Sequence, residues 1–386
     1  MSFKLAIIGL GRISDAHLNG VRRLNQTQKY RQINVSAVVD SFPGRAPEWV
    51  QKHFASVHHS QRPAIVTDYQ SLLSGPNKPD LVSILLPQHL HREVATAFLE
   101  AGVAVQIQKP LGLGLADARE LIVLADKTQT PFVVCTQSVL GRPTRLHLEY
   151  LRSGRQIGTP TFMLDQTVID LKGGFYLTPW RHLKSMAGAG LLLDHGVHRV
   201  RWMLEAFGPC ATAYAQIRQV EPTREDQRWG KVDVDTEDVA AAILTFKSGL
   251  IAQLSIVAAG RGGPHRHAQV WASKGSYLKE KCILAGETEP RDPDLDQNSV
   301  PLDVPTDPYA HSYLELLQKI ENRQTRIAGD PRLALLAQAV IYACLESATT
   351  AKPIPIDDIL IGRATDYEQT VWSARKSTPM PQNNLT

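Results

Sequence analysis

The segment Lys4-Leu5-Ala6-Ile7-Ile8-Gly9-Leu10-Gly11-Arg12-Ile13-Ser14 sets a short apolar run against a G-x-G turn and then opens a helical pattern. A glycine turn between a strand and a helix is the context in which this signature carries meaning. Gly9 permits the tight turn. Gly11 lets a pyrophosphate approach the backbone, where free amides, those of Arg12 and Ile13 included, and the positive helix end stabilise its charge. Ser14 stands at the third glycine position, and a small residue there still lets helix and strand pack closely. The plainer alternative, glycines that only shape a turn, is disfavoured by the strand and helix on either side. Asp40 ends the second apolar run, where a carboxylate accepts hydrogen bonds from both hydroxyls of an adenosine ribose and repels a 2′-phosphate. NAD is therefore expected over NADP, with Arg45 close enough in sequence to partner a phosphate and a simple turn cap as the other reading of Asp40. The polar insertion 25–34 explains the long spacing from Gly9 to Asp40.

Outward from this turn, apolar runs at 4–9, 35–40, 64–67, 81–87, 104–109 and 132–136 alternate with helical patterns, the layout of parallel strands joined by crossover helices. Leu81-Val82-Ser83-Ile84-Leu85-Leu86 is apolar on both faces, as a buried parallel strand should be. After Arg142-Pro143 the pattern changes. A helix runs to Leu151, alternating segments at 240–246 and 250–257 read as an antiparallel hairpin across Lys247-Ser248-Gly249, and helices return at 310–322 and 332–347. The expected fold class is α/β: an N-terminal Rossmann domain over 1–138, then an α/β domain with a large open, mainly antiparallel sheet over 139–372. A surface loop is expected at 295–308 and a polar tail at 373–386.

The 386 residues, 43% hydrophobic and 21% charged, are too apolar for general disorder. Forty-two Lys and Arg against 38 Asp and Glu give a net charge of +4 spread along the chain without any run of about five like charges, so no nucleic-acid partner is expected. No apolar run reaches the roughly 18 residues of a membrane helix, and the first residues lack a signal peptide's apolar region. Four widely spaced cysteines fit neither a zinc site nor a disulfide scaffold. The expectation is a cytoplasmic protein with no bound metal and no membrane partner.

Two further segments narrow the class: Pro87-Gln88-His89-Leu90-His91 with Gln106-Ile107-Gln108-Lys109-Pro110, and Gly188-Ala189-Gly190-Leu191-Leu192-Leu193-Asp194-His195-Gly196-Val197-His198. Together with the glycine turn, Ile157-Gly158, Trp180-Arg181 and Asp235-Thr236-Glu237-Asp238, they resemble the glucose-fructose oxidoreductase and inositol dehydrogenase (Gfo/Idh/MocA) family. The resemblance implies nicotinamide-dependent hydride transfer at a hydroxyl of a sugar, sugar derivative or cyclitol. It also implies oligomer contacts through the open sheet, hence a homodimer or homotetramer. It puts Pro87, His91, Gln108 and Lys109 at the cofactor cleft, with Trp180 and Arg181 over nicotinamide and substrate.

Oxidising a secondary alcohol requires a base within hydrogen-bond reach of the hydroxyl while hydride leaves carbon. Asp194 and His198, four apart, are expected on one helical face, with His198 as base and Asp194 orienting the imidazole or the substrate. Lys109, at the carboxyl end of a parallel strand, would stabilise the developing alkoxide. His195 is the weaker candidate. Tyr176 and Tyr309 are further substrate-side guesses, for which packing is an equal reading, and His91 could serve as a cap. Three departures from the family pattern stand out: Gln108 replaces a glutamate, Ala189 interrupts a glycine triplet, and Arg201 occupies a position that is often aspartate. They are expected to change cofactor binding and retune the substrate pocket. Two alternatives stay open: an enzyme that retains NAD and modifies or cleaves a glycoside through transient oxidation, and a non-enzymatic nucleotide-binding regulator. Lys109, Asp194 and His198 weigh against the regulator, which needs no base.

Overall fold

The computed structural model describes residues 2–170, 178–226, 230–321 and 327–377. They form two compact units, one built from the residues up to Gly141 together with Asp303–Leu335, the other from Arg142–Leu302 and the residues after Leu335.

In the first unit β1 (Phe3–Ile8), β2 (Ile33–Val39), β3 (Ala64–Val66), β4 (Leu81–Ile84), β5 (Ala104–Gln108) and β6 (Phe132–Cys135) make one parallel sheet. Its order is β3-β2-β1-β4-β5-β6. Alternation along β1 sends Leu5 and Ile7 to one face and Ala6 and Ile8 to the other. Leu5 and Ile7 pack with Leu18 and Val21 of α1 (Ile13–Gln26) and Trp49 of α2 (Arg45–Phe54). Ala6 and Ile8 pack with Val94 and Phe98 of α3 (His91–Glu100) and Leu121 of α4 (Leu115–Thr128). Each large aliphatic sealed in this way contributes about 1.5–3 kcal/mol. Chain order reverses at β1 and β4, and in such sheets the crevice beyond the carboxyl ends at that point is where ligands bind.

The division departs from a linear cut at 138/139. The segment Asp303–Leu335 returns to the first unit, where Tyr313, Leu314 and Leu317 of the helix Pro308–Ile320 join Leu5, Leu18 and Val133 in one apolar cluster. Val134 N donates to Gly329 O at 2.8 Å, and Tyr30 Oη donates to Asp303 at 2.8 Å, so the end of the expected surface loop is docked.

The second unit contains α5 (Arg142–Ser153), α6 (Lys184–Ala187), α7 (Leu191–Asp194) and α8 (Gly196–Phe207). Its strands are β7 (Pro160–Val168), β8 (Cys210–Arg218), β9 (Thr223–Asp226), β10 (Gly230–Asp233), β11 (Val239–Phe246), β12 (Ile251–Val257), β13 (His265–Ala272), β14 (Gly275–Leu278), β15 (Lys281–Leu284) and β16 (Ile354–Pro355). Eight of them form a mixed, mostly antiparallel sheet in the order β15-β14-β13-β7-β12-β11-β8-β16, with β7 and β12 parallel. The expected hairpin is β11–β12, and Gly249 takes φ +90° in its turn. Met163, Asp165 and Thr167 of β7 face inward, whereas Phe162, Tyr214, Ile243, Ile251 and Trp271 are 37–45% exposed on the outer face.

The helix Pro331–Thr350 is long and apolar enough to cross a membrane by length and composition, but 67% of its apolar window is buried inside the protein. Residues 373–377 of the expected tail belong to the helix Asp366–Ser377, and residues 378–386 lie outside the described residues.

Candidate functional site

Gly9 adopts φ +91°, and a Cβ there would lie 2.8 Å from Leu85 O, so only glycine fits. At Gly11 a Cβ would meet nothing within 4 Å, which leaves the backbone of the turn open to an approaching group. Ser14 accounts for its departure from glycine: it is fully buried, donates to Gly11 O at 2.7 Å and accepts from Trp49 Nε1 at 3.0 Å. Arg12 and Ile13 open α1 directly after the turn. Asp40 ties the turn to the end of β2: it accepts from Leu10 N and Phe42 N, each at 2.8 Å. Arg45 Nη1 lies 3.2 and 3.3 Å from its two oxygens, with the guanidinium 4.6 Å above the Phe42 ring. Open backbone beyond Gly11, a helix N-terminus and an acidic strand end suit a dinucleotide.

Gln108 ends β5 next to half-buried Lys109. Its Nε2 donates to His17 Nε2 at 2.5 Å, and its Oε1 accepts from Gln137 Nε2 at 3.3 Å. His17 Nδ1 then reaches Tyr313 Oη at 3.2 Å, Tyr313 donates to Ser83 Oγ at 3.1 Å, Ser83 donates to Gln106 Oε1 at 2.5 Å, and Gln106 Nε2 donates to Ser312 Oγ at 2.9 Å. With His17 neutral and its proton on Nδ1, every link pairs one donor with one acceptor. Burial, the largest cause, pushes the His17 pKa down to about 3, in agreement with that assignment. An imidazolium would set Nε2–H against the Gln108 amide donor. The amide at 108 and the neutral ring are therefore matched partners. Apolar periodicity missed this chain because its members sit at positions that read as core. The usable signal was His17, a titratable residue on the buried face of α1.

His91 is buried, with Nδ1 2.9 Å from Pro110 O and Nε2 2.9 Å from Leu86 O. Burial pushes its pKa down to about 4. Neutral on that account, the ring has one N–H to donate and so hydrogen-bonds only one of these two carbonyls, lying between the chain ends at Leu86 and Pro110. The ring caps no helix amide, since both nitrogens face carbonyl oxygens. Tyr309 also belongs to the first unit: its ring packs edge-on to His17 at 4.9 Å, and burial pushes its hydroxyl up to about 12.

In the second unit the turn Pro179–His182 carries Trp180 and Arg181. The Arg181 guanidinium lies 4.3 Å above the Trp180 ring, and its Nε is 3.6 Å from Asp194 Oδ2. Tyr176 lies outside the described residues. The single helix expected to carry Asp194 and His198 is interrupted: Asp194 ends α7, His195 is the junction, and His198 stands in the first turn of α8. The ring of His195 lies 6.3 Å from that of His198, and its Nε2 is 3.5 Å from Thr167 Oγ1 on β7.

Carboxylates from the stretch 235–238 hold this segment. Glu237 accepts from Gly190 N at 2.8 Å and Leu192 N at 3.1 Å, Asp235 accepts from Lys184 N at 2.5 Å, and Tyr367 Oη donates to Gly188 O at 3.0 Å. A Cβ at Gly190 would lie 1.9 Å from Glu237 O, so the second glycine of the segment is required by packing. Asp238 takes the amides of Val220 and Glu221 at 2.8 and 2.9 Å. The stretch matched the family pattern in the sequence, but its role as a clamp was not legible there.

Arg201 does not retune a pocket. It is 1% exposed and pairs with Glu205 at 2.7 Å. Glu205 also takes Arg145 at 2.9 Å and Arg152 at 2.7 Å. Burial raises the Glu205 pKa, but the cations Arg201 and Arg145 outweigh it and hold the carboxyl at about 2. A buried anion surrounded by arginines locks α8 to α5. Ala189, the other departure, is likewise buried. Among the described residues no group of three or more His, Cys, Asp or Glu is arranged to hold a metal.

A classically ordered dinucleotide-binding sheet, together with a second unit whose open sheet carries a clamped Asp-His-x-x-His segment, defines a nicotinamide-nucleotide oxidoreductase of the two-domain type. Residues 3–136 match the Gfo/Idh/MocA oxidoreductase family's NAD-binding Rossmann fold and residues 135–278 match its C-terminal domain, so the chain belongs to this family. It is similar to the myo-inositol 2-dehydrogenase of Thermotoga maritima, 24% identical over 370 residues, covering 92% of this chain and 99% of the relative. It is 31% identical over 196 residues to the 1,5-anhydro-D-fructose reductase of Ensifer adhaerens. The chain spans about half the length of that reductase (53%) and of an uncharacterized protein of Saccharomyces cerevisiae (47%). Among solved structures, a levoglucosan dehydrogenase in complex with NADH and levoglucosan superposes with TM-score 0.78 at 18% identity, over 92% of this chain and 100% of the other.

Proposed function

We propose that the protein is a dehydrogenase or reductase that transfers hydride from the carbon bearing a secondary hydroxyl of a sugar, sugar derivative or cyclitol, or to the carbonyl carbon of the matching ketone, with NAD favoured over NADP. The observation that carries this reading is the pair of family matches spanning 3–278 around Lys109, Asp194 and His198, the residue types the reaction needs. Gly9, Gly11, Arg12, Ile13, Asp40, Pro87 and Gln108 would hold the dinucleotide, which when bound supplies the hydride acceptor or donor. Asp40, a carboxylate at the end of β2 where an adenosine ribose would lie, supports NAD; Arg45, already paired with it at 3.2 Å, is the cation that a 2′-phosphate would have to draw away. His198 takes the proton of the substrate hydroxyl, Asp194 orients it, and the Lys109 ammonium stabilises the alkoxide oxygen. Trp180 and Arg181 bind the substrate. The apolar outer sheet face supports a homodimer or homotetramer, and four buried free thiols support a reducing, cytoplasmic setting.

The test is spectrophotometric. Purified protein with NAD and a panel of sugars and inositols should yield reduced nicotinamide, and Lys109→Ala should lower kcat at least 100-fold. No reduction with any compound, or a Lys109→Ala variant equal to wild type, would overturn the proposal. Cofactor retained through purification and turned over without net reduction would point to transient oxidation instead.

A further inference from the structure

Arg266 of β13 stands opposite Thr167 of β7, in the antiparallel register that pairs Ala268 with Asp165 and Val270 with Met163. Directly opposed residues project on the same face, with Cβ atoms about 4.5–5.5 Å apart. Thr167, Asp165 and Met163 are the buried inner-face residues of β7, and Trp271 with Phe162 marks the opposite, outer face. Arg266 therefore lies on the inner face, beside the Thr167 hydroxyl that approaches His195. β14 pairs with β13 only from Gln269 to Ala272, which leaves β13 without a β14 neighbour at Arg266. Arg266 is exposed, and among the described residues it makes no ion pair or side-chain hydrogen bond. Other cations of this end have carboxylates: Arg199 has Asp165 at 2.5 Å, Arg224 has Asp238 at 3.3 Å, and Arg261 has Glu221 at 3.0 Å.

We propose that the substrate carries an anionic group, a carboxylate or a phosphate ester, and that Arg266 binds it. A guanidinium fork presents paired donors that match either oxyanion. Arg181, stacked on Trp180 beside Asp194, is left for the hydroxyl that reacts. The inference rests on the reading of the 194–198 segment as the substrate side of an oxidoreductase, and it narrows the substrate to an acidic carbohydrate.

The experiment uses matched pairs, D-galactose with D-galacturonate and D-glucose with glucose 6-phosphate, titrated into the protein–NADH complex and read by nicotinamide fluorescence. The charged member of at least one pair should bind at least tenfold more tightly than its neutral counterpart. Arg266→Ala should bring that ratio to within threefold, and the pair that responds tells carboxylate from phosphate. Arg266→Lys should keep more of the ratio for phosphate than for carboxylate, since an ammonium lacks the fork. Equal binding within both pairs, no binding by any of the four, or a ratio that survives Arg266→Ala would overturn the inference. Turnover with NAD is measured on the same samples. Selective binding of a charged sugar without hydride transfer would sink the dehydrogenase reading and leave the anion site standing.

Discussion

Glu237 is a carboxyl group sealed from water against two backbone amides. Burial, the largest cause, raises its pKa, the amides of Gly190 and Leu192 lower it, and the balance is upward from 4.5 to about 7. Between those values the folded chain keeps a proton that the unfolded chain has released. The group's contribution to stability is therefore full below pH 4.5 and is lost as pH rises through 7, by on the order of 3 kcal/mol in all. Glu237→Gln removes this titration. Melting temperatures taken from pH 5 to 8 should fall more steeply for wild type than for the variant, and parallel curves would show that the carboxyl ionises as freely as an exposed one. The Gln108–His17 pair makes a contrasting case: a neutral amide facing a neutral ring adds no charge that titrates near neutrality.

Within the glycine turn, neighbouring positions of one element carry separable duties. Gly11→Ala adds a methyl into open space, so the melting temperature should stay within about 2 °C while NADH affinity drops at least tenfold, because that space is where a pyrophosphate would meet the backbone. Gly9→Ala, strained at φ +91° and pressed on Leu85 O, should lose stability by roughly 1–3 kcal/mol as well as affinity. Calorimetry beside fluorescence titration separates the two, and a Gly11→Ala variant that binds NADH normally would remove the turn from the cofactor site. The turn was legible in the sequence because glycine at φ > 0 has no substitute and because apolar runs announce strands on either side. The interruption at His195 was not legible. Spacing says that Asp194 and His198 are four apart, but the approach to α7 at Gly188, Gly190 and Leu192 is held by Tyr367 and Glu237, which arrive from remote parts of the chain.

For the molecule as a whole, the outer face of the eight-stranded sheet presents Trp271, Phe162 and Ile251 on adjacent strands, with Ile243 and Tyr214 directly opposed beyond them. Such a row is better covered than hydrated. A second copy of the chain should bury it, so light scattering after size exclusion should report a dimer or tetramer for wild type and a shift toward monomer for Phe162→Glu/Ile243→Glu. A wild-type monomer at micromolar concentration would refute this. Both sheets were readable from periodicity, since parallel strands are apolar throughout and the second sheet alternates. The membership of each unit was not readable, because nothing in local pattern tells that Tyr313 and Leu317 pack with Leu5 and Leu18.

That return has a bearing on biosynthesis. The first unit lacks part of its interior until Asp303–Leu335 has left the ribosome, roughly 10–40 s after Gly141 at about 5–20 residues per second. Until then a nascent nucleotide fold exposes the apolar flank around Leu18 and Val133, a stage at which chaperones would be engaged, and a fragment cut at Gly141 would be made with that flank permanently bare.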